Sequence, residues 1–300
     1  MNNVTLKQIR YFAALARHRH FGRAAAASAI SQPALSMQIK ELEDALATPL
    51  FERGGRSISL TGFGQTFAER AREILLAVDE LGDLARASRD QLVGKLRIGV
   101  IPTIAPYLLP AFVAGLTDAL PGIDLRIRET LTSRLIQELA DGQLDAAIVA
   151  LPISEPALTE VALFDEAFLL VRPAADAAKP APDRWALRKM PLLLLEEGHC
   201  FRDQALAFCN MHGAEPRASL DASSLSTLVQ MTGAGIGVTL IPEMAVAVET
   251  RSAAVSVVRL PSPEPSRTVG MIWRKTSPLA PRLQEVSDIV RTAAARRPAI

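Results

Sequence analysis

Two thiols stand in this chain of 300 residues, Cys200 and Cys209, with imidazoles at His199 and His212 beside them. Such thiols can pack as small apolar groups, bind a metal together with imidazole, or do redox chemistry as thiolates. The segment Cys200-Phe201-Arg202-Asp203-Gln204-Ala205-Leu206-Ala207-Phe208-Cys209 is rich in Ala and Leu and reads as helix. Nine helical steps put the two Cα atoms ~13.5 Å apart on opposite faces, whereas a disulfide needs them within about 7 Å. The two cannot bond without melting the helix between them. That spacing is useless for a permanent staple and is what a switch requires, because its reduced and oxidised forms must differ in backbone. Two thiols and two imidazoles within fourteen residues keep metal in view, yet the close Cys pair of a structural zinc site is missing and a straight helix cannot converge the four. Gly198-His199-Cys200 sets the first thiol near a helix N-terminus, where amide dipoles favour thiolate and His199 and Arg202 can help; Glu196 and Glu197 act against it. On these residues alone, packing, metal and redox roles all stay open.

The elements that position the thiols belong to a chain of about two domains, 49% hydrophobic and able to bury sizeable cores. Disorder is excluded as the main state. Apolar runs such as Ala167 to Val171 and Leu192 to Leu195 fall far short of the ~20 residues that span a bilayer, and the polar start lacks the apolar core of a secretory signal. A cytoplasmic protein without a membrane segment is expected, where thiols are kept reduced unless they are redox-active or bind metal. The net charge of +1 conceals an asymmetry: residues 1–40 hold six Lys/Arg and no Asp or Glu, and residues 1–60 carry a net of +4 against −3 for the rest. A phosphate-binding head on a near-neutral body fits this distribution.

The head reads as a winged helix-turn-helix. Thr5 and Gln8 fit a capping box, with Leu6, Ile9, Ala13 and Ala16 as the apolar face of a first helix. Residues 23–29 make a short alanine-rich helix. In a third helix Ser31 is the cap, Pro33 sits in the first turn, and Leu35, Ile39, Leu42 and Leu46 form the core stripe. Pro33, Ser36, Met37 and Lys40, flanked by Gln32 and Gln38, then occupy the opposite face, where polar groups suit base edges and Lys suits phosphate. Residues 50–53 and 57–60, joined through Gly54-Gly55-Arg56, read as two short strands with a basic tip. After Thr61-Gly62, Phe67, Ala71, Ile74, Val78, Leu81 and Ala85 form a heptad seam. That helix, about 40 Å long, needs a partner helix, and its own copy is the simplest one.

The rest alternates strands and helices: Lys95 to Ile101, Pro106 to Leu120, Ile123 to Glu129, Ser133 to Asp141 and Asp145 to Ala150 read as βαβαβ. A second half has strands at Ala167 to Val171, Pro191 to Leu195 and Gly237 to Ile241, with helices at Phe201 to His212 and Ser224 to Thr232. Strands near Val255 to Leu260 and Thr268 to Arg274 and a helix from Ala280 to Ala295 close the chain. Gly233-Ala234-Gly235-Ile236-Gly237 precedes a strand instead of following one, so it reads as a turn and not as a dinucleotide fingerprint.

Ala25 to Ile30 followed by Ser31-Gln32-Pro33-Ala34-Leu35-Ser36-Met37-Gln38-Ile39-Lys40-Glu41-Leu42-Glu43 and Leu50-Phe51-Glu52-Arg53 resembles the LysR family of bacterial transcriptional regulators. The resemblance implies an α/β protein in three parts: a winged helix-turn-helix head (1–61), a dimerising linker helix (62–91) and a two-subdomain, periplasmic-binding-protein-like regulatory domain (92–300). Subdomain one would comprise 92–161 and 268–300, and subdomain two 162–267. It places Gln32, Pro33, Ser36, Gln38 and Lys40 at recognition-helix contacts and Arg53 and Arg56 at the wing. Residues 194–209, 101–110 and 265–270 are similar to the hydrogen-peroxide-responsive members of the family, a likeness that covers essentially the whole chain. It implies Cys200 as the peroxide-reacting thiolate and Cys209 as the resolving thiol. It also implies a peroxide pocket of Thr103, Thr132, His199, Asp203 and Arg267. Where some relatives carry a second pocket histidine, this chain has Ser219. The expected partners are double-stranded promoter DNA, RNA polymerase, hydrogen peroxide as signal, a thiol reductant, and further copies of the chain in a homodimer or homotetramer. No cofactor, metal or enzymatic turnover is expected. The competing expectation is a family member that answers a small metabolite in the interdomain cleft, with cysteines that only pack.

Overall fold

Thr5 begins the first helix by closing a capping box: its hydroxyl accepts from the Gln8 amide at 3.2 Å, and Gln8 Oε1 accepts from the Thr5 amide at 3.0 Å. In this computed structural model, which describes residues 4–52, 58–87, 94–209 and 221–296, the chain forms two compact units, Met1–Ala85 and Arg86–Ile300. The first contains α1 (Leu6–His18), α2 (Phe21–Ala27), α3 (Gln32–Leu46) and most of α4 (Gly62–Ala87).

Phe12 lies fully buried at the centre of that unit, with its ring centroid 4.9 Å from that of Phe67 and 5.4 Å from that of Phe51. The buried face of α1 differs from the periodic expectation. Leu6 is 45% exposed and Ala13 and Ala16 are half-buried, while Gln8, Ile9, Tyr11, Phe12 and Leu15 are buried. Phenylalanine and leucine remove far more apolar area from water than two alanines, and they set the rotation of the helix. Ala24 and Ala25 of α2 are buried, which permits close helix approach. Phe51 and Leu60 form an antiparallel bridge, supported by the Glu52 amide donating to the Ser59 carbonyl at 2.9 Å. This is the base of the expected wing. Its tip, with Arg53 and Arg56, lies outside the described residues.

The second unit opens with the expected βαβαβ run: β1 (Gly94–Val100), α5 (Ala105–Ala119), β2 (Ile123–Glu129), α6 (Thr132–Ala140) and β3 (Ala146–Leu151), with β2 and β3 both parallel to β1. The strand expected at Ala167 to Val171 is the end of a much longer one, β4 (Leu158–Pro173). Then come α7 (Arg184–Leu187), β5 (Leu194–Leu195), α8 (Cys200–Phe208), β6 (Asp221–Ala222), α9 (Leu225–Gly233), β7 (Thr239–Pro242), α10 (Val246–Glu249), β8 (Val255–Val258), β9 (Ser266–Arg274) and α11 (Ala280–Ala295). The expected strand at Pro191 to Leu195 shrinks to the two residues of β5, with a separate bridge between Leu192 and Val238. Helix α8 starts one residue earlier than expected and ends at Phe208 with Cys209 as its C-cap; His212 lies outside the described residues.

Two cores share this unit. The first gathers Leu96, Ile98, Phe112, Leu135, Ile148, Met271 and Val286, and the second Phe168, Leu170, Leu193, Phe201, Val229 and Ile241. Strand β4 serves both: residues 158–167 pair antiparallel with β9, and its later residues pair with β7 and β8. Leu163 is its last buried residue in the first core, with Phe164 packed against that core, and Phe168 is its first in the second. Only its second half is continuously apolar in sequence; Thr159, Glu160, Asp165 and Glu166 interrupt the first.

The glycine run at 233–237 is the expected turn, between α9 and β7, with Gly235 in the left-handed region at φ +83°. At Gly237 a Cβ would stand 2.2 Å from the Pro191 carbonyl oxygen, so the backbone itself must move to admit one. Gly237→Ala is expected to cost about 1–3 kcal/mol, as overpacking does. A denaturant midpoint equal to wild type would contradict that close approach.

Candidate functional site

Helix α3 presents the face expected to read DNA. Ser31 caps it, its hydroxyl accepting from the Ala34 amide at 3.3 Å, and Leu35, Ile39 and Leu42 are buried. Gln32, Pro33, Ser36 and Lys40 are exposed, as is Met37. Gln38 is half-buried and donates to Glu41 Oε2 at 2.6 Å, so its amide is already engaged on its own helix. On α4, Phe67 and Ala71 pack into the core of the first unit, whereas Ile74 is 43% and Leu81 65% exposed. The later part of the heptad seam therefore has an uncovered apolar stripe.

The thiol site is built at two helix starts. Gly198, at φ +95°, turns the chain so that His199 is the N-cap and Cys200 the first residue of α8. Thr132 is the first residue of α6. Together with Ile101, Pro102, Thr103, Leu131 and Phe201 they line a small cleft of about 10 Å³, room for a molecule of water's size. Arg267 reaches it from β9, donating from Nη1 to Thr103 Oγ1 at 2.8 Å and from Nη2 to the Thr103 carbonyl at 3.0 Å. The Thr132 hydroxyl oxygen is buried without a hydrogen-bond partner of regular geometry. It bears on the Cys200 thiol, whose charged form it favours.

Burial nevertheless dominates and pushes the Cys200 thiol above its ordinary pKa; the Thr132 hydroxyl, the Arg267 guanidinium and the Phe201 amide act against this, and Asp203 adds to it. His199 is pushed down, chiefly by burial, with Glu196 acting against it, which favours a neutral imidazole. These causes bear on the groups that the sequence places near the thiol. The cation near the thiol is Arg267, since Arg202 donates to the Leu195 carbonyl at 2.8 Å and His199 does not supply charge. Desolvation of the thiol acts against the helix N-terminus that Cys200 begins.

The structure brings Thr103, Thr132, His199 and Cys200 to one cleft, with Arg267 bonded to Thr103, and leaves Asp203 exposed on the first turn of α8. Cys209 is buried in the second core, whereas Cys200 packs against the first; both thiols are free. Sequence reasoning missed Glu166, the buried carboxylate paired with Arg267, and Phe201, whose ring lies 5.9 Å from the guanidinium. An acid at the edge of the apolar run Ala167 to Val171 was the available signal. Among the described residues, no group of three or more His, Cys, Asp or Glu is arranged to hold a metal ion.

The family model described as the bacterial regulatory helix-turn-helix protein, lysR family, matches residues 6–65, and the LysR substrate binding domain matches residues 89–295. The chain is 42% identical over 293 residues to a probable hydrogen peroxide-inducible genes activator of Streptomyces viridosporus, covering 96% of this chain and 94% of that one. It is 39% identical over 293 residues to the DNA-binding transcriptional dual regulator OxyR of Escherichia coli, covering 96% and 95%. Among solved structures it is similar to a full-length OxyR variant from Pseudomonas aeruginosa, with a TM-score of 0.77, 37% identity and coverage of 96% and 95%. It is also similar to a peroxide-bound OxyR mutant from Corynebacterium glutamicum, with a TM-score of 0.67, 33% identity and coverage of 97% and 92%.

Two expectations follow from the electrostatics. Thr132→Val removes a group that favours thiolate, so the alkylation profile of Cys200 should move to higher pH; an unmoved profile would show that the hydroxyl does not act on the sulfur. Burial also pushes the Cys209 thiol up to about 11. A pKa raised by folding stabilises the native state below the unfolded value of about 8.5, and that contribution is lost as pH climbs through the folded one. Reduced wild type should therefore lose stability between about pH 8.5 and 11 more steeply than Cys209→Ala in denaturant titrations, and equal slopes would contradict the shift.

Proposed function

The chain belongs to the LysR family of bacterial helix-turn-helix transcriptional regulators, and from that premise we propose that it senses hydrogen peroxide by reversible disulfide formation between Cys200 and Cys209 and controls oxidative-stress genes accordingly. The observation that carries the reading is a pair of reduced thiols held apart by one helix, the first of them in a cleft for a very small polar molecule. With peroxide seated there, the Cys200 thiol gives up its proton toward the far peroxide oxygen as its sulfur attacks the near one. The S–O bond forms as the O–O bond breaks, and the second oxygen takes up a proton and leaves as water. Thr103, Thr132 and neutral His199 orient the peroxide by hydrogen bonds, and Arg267 stabilises the charge that moves onto the departing oxygen. Asp203, exposed on the first turn of α8, acts on the sulfur through its charge. The Cys209 thiol, freed from the core, then attacks the sulfenic sulfur: the S–S bond forms as the S–O bond breaks, and the departing hydroxide takes the Cys209 proton and leaves as a second water. A cellular thiol reductant reverses the step.

In this reading residues 1–61 form the DNA-binding head, 62–91 the dimerising linker and 92–300 the sensor, divided into 92–161 with 268–300, and 162–267. Gln32, Pro33, Ser36, Gln38 and Lys40 contact promoter DNA from the recognition helix, and Arg53 and Arg56 contact it from the wing. The uncovered stripe on α4 supports assembly as a homodimer, or as a tetramer of two dimers, presenting paired heads to paired half-sites. RNA polymerase is the partner that reads the changed promoter complex. The protein works in the cytoplasm, as a regulator without catalytic turnover. No helix among the described residues is long and apolar enough to cross a membrane, in keeping with that location.

A second cleft of about 270 Å³, lined by Thr103, Tyr107, Glu129, His199, Ser224 and Glu249, favours one rival: a regulator answering an organic metabolite. Peptide mapping of the peroxide-treated protein separates the two. The redox reading predicts an intramolecular Cys200–Cys209 crosslink and a changed DNase footprint, both lost in Cys200→Ser. A Cys200→Ser variant that switches its footprint normally would establish the rival.

A further inference from the structure

Glu166 and Arg267 face each other across β4 and β9 as register partners, at the place where β4 leaves the first core for the second. Both side chains are buried, with 2% and 0% exposure. Glu166 Oε2 accepts from Arg267 Nε at 2.9 Å and lies 2.8 Å from Nη2. Its other oxygen, Oε1, accepts from the Met244 amide at 2.8 Å. The carboxylate is thus fixed at both oxygens, and one edge of the guanidinium is fixed to the carboxylate. The remaining reach of Arg267 goes to the Thr103 hydroxyl and carbonyl at the mouth of the thiol cleft. Phe201, the residue after Cys200, lies against the cation.

Resting on the peroxide reading above, we propose that Glu166 is a positioning residue for Cys200 oxidation, holding the Arg267 guanidinium where negative charge moves as the O–O bond breaks. A cation held stationary needs no reorganisation during that step, and a planar guanidinium gripped edge-on cannot rotate away from Thr103. Beyond balancing the buried cation, the charge of Glu166 works against the reaction, because a carboxylate beside Arg267 weakens the cation's field at the sulfur. Geometry and field therefore act with opposite sign, which makes the role measurable.

The full-length protein is compared as wild type, Glu166→Gln, Glu166→Asp and Arg267→Lys, following sulfenic acid formation at Cys200 under peroxide and the pH profile of its alkylation. Positioning predicts that Glu166→Gln slows oxidation about tenfold or more and moves the alkylation profile to higher pH, with Glu166→Asp intermediate and Arg267→Lys also slow. Faster oxidation with a profile moved to lower pH would show that Glu166 acts only through its charge, and an unchanged rate would show that it does not act on the reaction. Either result overturns the proposal while the peroxide reading stands. If Glu166→Gln fails to fold, Glu166→Asp decides, since it keeps the charge and shortens the reach: slowing supports positioning, and a wild-type rate overturns it. A wild-type Cys200 that reacts no faster than free cysteine would overturn the peroxide reading and this inference together.

Discussion

Everything in the proposed switch depends on helix α8 keeping two thiols apart. Cys200 starts the helix and packs against the first core; Cys209 closes it and is buried in the second. The helix is stitched by its own amides, down to Cys209 donating to the Ala205 carbonyl at 3.2 Å, and it is anchored by Phe201 and Ala205 in the second core. At ~1.5 Å per residue the Cα atoms stay well beyond disulfide reach for as long as those bonds hold. A disulfide must therefore be exchanged for helical hydrogen bonds and for burial of Cys209. The reduced and oxidised chains are two folds of this segment, separated by a covalent bond and not by a gradual strain.

The same burial that keeps Cys209 quiet presents a difficulty at Cys200, whose thiol is desolvated and held above its ordinary pKa. A resting thiolate is not what this cleft favours. Its dipoles and its cation sit around a volume that suits one small polar molecule, so their effect is greatest when peroxide is present and charge is moving. The neutral imidazole of His199 and the hydroxyls of Thr103 and Thr132 can orient such a molecule without adding charge. Arg267 is the charged member, and its burial is possible because Glu166 compensates it directly across two strands.

Much of this was legible in the sequence, and what was not has physical reasons. The capping box at Thr5, the cap at Ser31, the core stripe of α3 and the βαβαβ order follow from local spacing, and local spacing is what a sequence displays. The rotation of α1 was misread because periodicity treats Leu6 and Ala13 as equals of Phe12 and Leu15, while packing weighs buried area. Strand β4 was cut short because its first half borders water on one side and reads as mixed. In the site, Thr103, Thr132 and His199 came from likeness to a family and do meet in one cleft, whereas Asp203 does not line it. Glu166 shows in sequence only as an acid beside an apolar run; its pairing with Arg267 is not legible there, because it comes from register across strands more than a hundred residues apart and no local pattern reports register between strands.

Coupling to DNA then requires only that the two states of the 200–209 segment differ in the surfaces they offer to other copies of the chain, since the reading heads act in pairs. Amide hydrogen exchange across residues 200–209, compared between the reduced protein and the same protein after stoichiometric peroxide, tests this most directly. The account predicts protected amides through Gln204–Cys209 when reduced and loss of that protection in step with appearance of the Cys200–Cys209 disulfide. A disulfide that forms while the segment keeps its helical protection would contradict it.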